Sequence, residues 1–76
     1  MKEQAKDDIL LKKITLRIKE IREQKGISQE SFYNNTGIHI ARIELAKLNI
    51  SITTIARICQ YFEITLEEFF KGIEMN

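Results

Sequence analysis

Ser28-Gln29-Glu30-Ser31-Phe32-Tyr33-Asn34-Asn35-Thr36-Gly37-Ile38-His39-Ile40-Ala41-Arg42-Ile43-Glu44 is the stretch whose reading decides the fold. Ser28 is a good N-cap, because its hydroxyl can accept a hydrogen bond from one of the free backbone N–H groups that open a helix. A short helix over 28–34 follows. Asn34-Asn35 interrupts it, since both side chains compete for backbone hydrogen bonds and tolerate a left-handed conformation. Thr36 can cap a further helix over 36–46, in which Ile40 and Ile43 lie three residues apart and share a face. The stretch reads as two short helices joined by a tight turn.

On the N-terminal side, Leu11, Ile14, Ile18 and Ile21 recur at three- and four-residue steps and predict a helix over 8–25. Asp7 or Asp8 is suited to start it, at the positive end of the helix dipole. Gly26 stops it directly after Lys25. Leu10 and Leu16 fall off the apolar stripe. On the C-terminal side, Lys47-Leu48-Asn49-Ile50 reads as a linker. Ser51 then caps a helix over 51–62 with Ile52, Ile55, Ile58 or Cys59, and Phe62 as its apolar face. Thr65-Leu66-Glu67-Glu68 is a capping box that opens a last helix over 65–74, carrying Phe69, Phe70 and Ile73. The chain has no proline and three glycines, and no segment has the alternation of a strand. The expected architecture is all-α, a compact five-helix domain spanning 1–76.

A chain of 76 residues buries only roughly 60–65% of its unfolded surface, so a dense core or a partner subunit must supply the rest. Phe69, Phe70 and Ile73 are the expected dimer interface. Cys59 is the only cysteine, which excludes an internal disulfide and fits a reducing cytoplasm. It is expected to be a buried small hydrophobe. No apolar run approaches the ~20 residues of a membrane span, and the first eight residues are too polar for a signal peptide. Paired acids, a nucleophile with a base, a metal-ligand cluster and a phosphate loop are all missing from the sequence. No catalytic residue, metal or cofactor is therefore expected.

The net charge is +1, but it is polarised along the chain. Residues 9–61 hold nine Lys/Arg against four Glu, a balance of +5, whereas the tail from Phe62 onward has a balance of −3. Such polarity is expected where one face meets phosphate and another does not.

Ile14-Thr15-Leu16-Arg17-Ile18-Lys19-Glu20-Ile21-Arg22-Glu23-Gln24-Lys25-Gly26-Ile27-Ser28-Gln29-Glu30 resembles the opening of the phage-repressor/Cro-like, XRE-type helix-turn-helix family. Arg42-Ile43-Glu44 resembles the end of that family's recognition helix. Asn49-Ile50-Ser51-Ile52 resembles the start of its fourth helix, and Leu66-Glu67-Glu68-Phe69-Phe70 its terminal helix. The resemblance covers about residues 11–70. Between Ser28-Gln29 and Arg42-Ile43-Glu44 this chain is three residues shorter than the usual pattern, close to one helical turn. We assign the deletion to the second helix, so that Thr36 caps the third. The alternative is a shortened recognition helix with Gly37 as the turn glycine.

The resemblance implies a sequence-specific regulator of transcription that binds double-stranded DNA as a homodimer on a pseudo-palindrome. On the chosen register Thr36, Gly37, Ile38, His39 and Arg42 are the base contacts. Arg42 would serve guanine and Ile38 a thymine methyl. Gln29, Asn35, Lys47 and Asn49 are the phosphate contacts. Arg22 and Glu44 are implied to form an ion pair that ties the first helix to the third. Freestanding members of this size include controllers of restriction-modification genes and antitoxins. The rival expectation is a protein-interaction module, such as an antitoxin or an adapter, that would use an apolar surface around Leu10, Leu16 and the C-terminal helix.

Overall fold

The computed structural model describes residues 3–47 and 49–73, with side chains from Asp8 onward. Five helices follow one another in the order α1 (Glu3–Gln24), α2 (Gln29–Thr36), α3 (Ile40–Glu44), α4 (Ile52–Phe62) and α5 (Leu66–Lys71). Leu48 of the linker and Glu74, the expected end of the last helix, lie outside the described residues. Among the described residues no helix is long and apolar enough to cross a membrane.

Three of the five helices begin where a hydroxyl can cap them. Ser28 accepts from the Ser31 N–H, Ser51 from the Thr54 N–H and Thr65 from the Glu68 N–H. At α5 the capping box is complete, because the Glu68 carboxylate accepts the Thr65 N–H in return at 2.8 Å. That bond holds the Glu68 carboxyl below its ordinary range. The ends are equally specific. Gly26 has φ 69°, its N–H donates to the Glu23 carbonyl, and the next N–H, from Ile27, donates back to Arg22. This paired arrangement closes α1 and turns Ile27 toward the core. Glu63 closes α4 in the same way, with φ 62°.

The core is one cluster. Ile14, Ile18 and Ile21 of α1 meet Phe32 of α2, Ile38 and Ile40 at the entry to α3, Ile55, Ile58, Cys59 and Phe62 of α4, and Phe69 and Ile73. Phe32 is fully buried at its centre, edge-on to Tyr61 at 5.0 Å and tilted against Phe62 at 5.5 Å. Cys59 lies within this apolar shell, which pushes its thiol up from the ordinary value.

Several boundaries differ from expectation. α1 already runs from Glu3, since nothing between Glu3 and Asp8 breaks a helix. α2 continues through Asn34-Asn35 to Thr36, and α3 is only five residues long. The third helix, and not the second, is therefore the short one. The expected helix over 36–46 is corrected accordingly. α5 ends at Lys71, where Gly72 turns the chain and Ile73 returns to the core. Ile52 was expected on the apolar face of α4 but is exposed, because the first turn of that helix projects beyond the core.

Arg17 joins the two ends of the chain. Its Nε donates to the Phe69 carbonyl at 2.9 Å and its Nη2 to the Glu68 carbonyl at 3.0 Å, serving the free carbonyls at the end of α5. The guanidinium lies directly over Gly72, where an added Cβ would sit 2.3 Å from Arg17 Cζ. Gly72→Ala is therefore expected to displace the guanidinium and to lower stability by about 1–2 kcal/mol in chemical denaturation. In an Arg17→Ala background the same substitution should cost much less, since the clash is already gone.

Candidate nucleic-acid interface

α3 is too short to hold its own position by burial alone, and a polar anchor places it. Arg22 near the end of α1 donates from Nε to Glu44 Oε2 at 2.8 Å and from Nη2 to Glu44 Oε1 at 3.1 Å. Its Nη1 donates to the Ile27 carbonyl at 2.7 Å. The pair is largely shielded, with 9% and 5% of the two side chains exposed. The Glu44 carboxylate raises the Arg22 pKa above its ordinary value, so the guanidinium stays charged. Gln29, the first residue of α2, donates from Nε2 to Glu44 Oε1 at 2.8 Å. One carboxylate thus ties α1, α2 and α3 at a single point.

That anchor leaves one face of α3 outside. His39, Ala41, Arg42 and Leu45 are exposed, while Ile38 and Ile40 are buried. Arg42 carries no hydrogen bond or ion pair at its guanidinium among the described residues. Beside it lies a shallow open depression of about 310 Å³, lined by Gln29, Glu30 and Tyr33 of α2 and by His39, Ile40, Ala41 and Arg42. Lys47 and Asn49, in the segment after α3, are exposed as well.

The structure sets Gln29, His39 and Arg42 of the expected site side by side, buries Ile38, and gives Thr36, Gly37 and Asn35 roles within and beside α2. Thr36 is the last residue of α2 and not the cap of α3. Its hydroxyl donates to the Phe32 carbonyl at 2.8 Å and accepts the Ile38 N–H at 3.0 Å, and its carbonyl takes a hydrogen bond from Arg57. Gly37 is the left-handed residue that ends α2, φ 75°, with its N–H donating to the Tyr33 carbonyl. It belongs to the turn and not to a groove-facing helix. Ile38 is packed in the core and has no surface for a thymine methyl. Asn35 directs its amide to the Ser31 carbonyl at 2.8 Å and to the Tyr61 hydroxyl of α4 at 3.2 Å, so it serves as a tie between helices.

The expected dimer surface changes in the same way. Phe69 is fully buried and Ile73 nearly so, both within the chain's own core. Of the three, Phe70 alone keeps substantial exposed area, next to exposed Leu66 one turn earlier on α5. The sequence reading also passed over Tyr33 and Arg57. For Arg57 the signal was Gly37-Ile38, which repeats the Gly26-Ile27 stop of α1. Read as a stop, it carries α2 through Thr36 and leaves the Thr36 carbonyl for Arg57. Tyr33 already lay in the expected helix, and only its ring contact with His39 across the turn marks it.

A helix-turn-helix family model matches residues 18–69, from the middle of α1 into α5. The chain belongs to the phage-repressor/Cro-like, XRE-type helix-turn-helix family. That family is one of DNA-binding transcription regulators. Neither the curated proteins nor the solved structures include a significant match. α2 and α3, joined by Gly37 to His39, are the helix pair inside the matched residues, and the second helix of such a motif is called the recognition helix. The Arg22–Glu44–Gln29 anchor lies inside the matched residues.

Proposed function

We propose that this protein is a sequence-specific regulator of transcription that binds double-stranded DNA as a homodimer on a pseudo-palindromic operator. The observation that carries the reading is Arg42. It is exposed on the recognition helix, has no partner within the described residues, and sits on a helix clamped at its other end by a shielded ion pair. An exposed, unpartnered guanidinium on an anchored helix suits a bidentate contact to guanine O6 and N7. His39 is the second base-facing residue. Gln29, at the start of α2, and Lys47 and Asn49, beyond α3, supply the phosphate contacts that hold the register. The dimer forms through α5, at Leu66 and Phe70, and sets two recognition helices about 34 Å apart.

The test is selection of preferred duplexes from a random pool, followed by affinity measurements at several salt concentrations. A dimer that touches about eight phosphates gives a log–log salt slope near −7. Arg42→Ala is expected to relax preference at one position of each half-site, with a loss of about 1–3 kcal/mol of discrimination. Gln29→Ala is expected to weaken all sequences alike with the salt slope kept, since the amide is uncharged, whereas Lys47→Ala is expected to flatten the slope by about one unit. If Arg42→Ala leaves both affinity and preference untouched, α3 does not read bases.

A second reading, a protein-interaction module such as an antitoxin or adapter, is favoured by one observation. Leu16 stands 65% exposed on the outer face of α1, near exposed Leu10 and Ile9. A protein of this kind would show almost no duplex affinity in the same salt series, and would lose its partner on Leu16→Glu.

A further inference from the structure

A recognition helix of five residues rises only about 7.5 Å, so a surface that reads several base pairs needs a contribution from another element. The neighbouring α2 provides one. Tyr33 is 43% exposed, although a tyrosine on a short amphipathic helix can be buried at little cost. Its ring lies 4.6 Å from that of His39, tilted by 35°, and so is braced at the leading end of α3. Its hydroxyl has no partner among the described residues. Glu30 and Gln29 lie one turn earlier on the same face of α2, and all four residues line the depression that Arg42 borders.

Resting on the DNA-binding reading above, we infer that Tyr33 is a specificity-determining contact, whose ring packs against a thymine 5-methyl in the major groove beside the base read by Arg42. Three features favour a base edge over the backbone. The ring is apolar and pre-oriented by the His39 stack, with only two side-chain torsions to order. Glu30 on the same face repels phosphate, and its carboxylate is suited to accept from a cytosine amino group. Arg42, the cation that lines the same depression as Tyr33, lies on α3 and is assigned to a base, and Lys47 lies beyond α3. The ring occupies the flank of a recognition helix of only five residues.

The experiment uses the full chain and the duplex selected by the wild type. Each thymine of that duplex is replaced in turn by uracil, which removes only the methyl group. At one position per half-site the replacement is expected to weaken wild-type binding about fourfold, the worth of one buried methyl group. Tyr33→Ala is expected to bind the unmodified duplex about tenfold more weakly, to lose the response to that uracil, and to keep the wild-type salt slope. Tyr33→Phe should retain both the preference and the uracil response. The inference is overturned if no thymine methyl matters to the wild type. It is equally overturned if Tyr33→Ala selects the same sequence with unchanged affinity, or weakens all duplexes alike with a shallower slope. Should the alanine variant unfold, the uracil series on the wild type and on Tyr33→Phe still decides. A wild type that selects no duplex at all refutes the DNA-binding reading itself, a result distinct from a normal operator indifferent to Tyr33.

Discussion

Glu44→Ala is expected to destabilise the fold by about 3–5 kcal/mol in urea denaturation. The size follows from what the substitution leaves behind. Arg22 is 7% exposed and keeps only the Ile27 carbonyl as a partner once the carboxylate is gone. A buried lysine or histidine would escape by losing its proton, but a guanidinium does not titrate in the accessible range. The charge therefore stays, unpaired and poorly solvated. A chain of this length has a total stability of roughly 4–11 kcal/mol, so the loss takes up much of it. Replacing both partners, as Arg22→Met with Glu44→Leu, should be far milder, because no charge is then stranded. A loss below about 1 kcal/mol for Glu44→Ala would mean that water reaches the pair freely, as it does a surface pair. The same variant frees Gln29 and the end of α3, so loss of duplex affinity is expected to accompany partial unfolding.

Phe69→Ala is expected to cost about 3–5 kcal/mol, the range for truncating a fully buried phenylalanine. The ring packs edge-on to Phe70 at 5.1 Å, and its backbone carbonyl is held by Arg17. A void at this position removes the floor of α5 and loosens its attachment to α1. Phe70→Ala should change monomer stability much less and should instead weaken self-association, since that ring keeps exposed surface on the Leu66 side of α5. Denaturation at several protein concentrations separates the two effects. The Phe69 loss should be the same at every concentration, whereas the Phe70 loss should grow with concentration as the dimer contribution does. A Phe69 variant that melts like the wild type but no longer dimerises would place that ring in an interface after all.

Much of the helical layout was legible because it rests on local hydrogen bonds. Ser28, Ser51 and Thr65 each cap within three residues, and Gly26 stops α1 within five. The apolar steps of α1 placed Leu11, Ile14, Ile18 and Ile21 in the interior, where all four are buried. Thr36 shows where this kind of reading fails. Its hydroxyl suits an N-cap, but it also suits a bond to the carbonyl four residues back, and the sequence around it allows both. The structure takes the second, with the Ile38 N–H on the other side of the same oxygen. Gly37-Ile38 carried the deciding information, since a glycine followed by a core-facing isoleucine had already marked the end of α1. The Asn34-Asn35 pair points the other way, yet α2 continues through it.

The site divides along similar lines. Arg22, Glu44 and Gln29 were identifiable through the resemblance, and the structure sets them in one network. Ile38 and Phe69 were placed on functional surfaces because apolar residues at a motif or on a terminal helix suit a contact as well as a core. Burial is a property of everything around a side chain, and no local pattern reports it. The Arg17 clamp on α5 joins groups 51 and 52 residues apart in the chain, and the Tyr33–His39 stack joins two elements across a turn.

Taken alone, the amino-acid order established the number and order of the helices, three of their starts, the end of the first, and membership of a DNA-binding family. These follow from caps, stops and periodicity, whose forces act within one or two helical turns. Which of the two motif helices is the short one, which isoleucines are buried and how Arg17 ties α1 to α5 were decided by tertiary packing. The reason is competition: each of these residues has two satisfactory local states, and only contacts from distant segments make one of them lower in free energy.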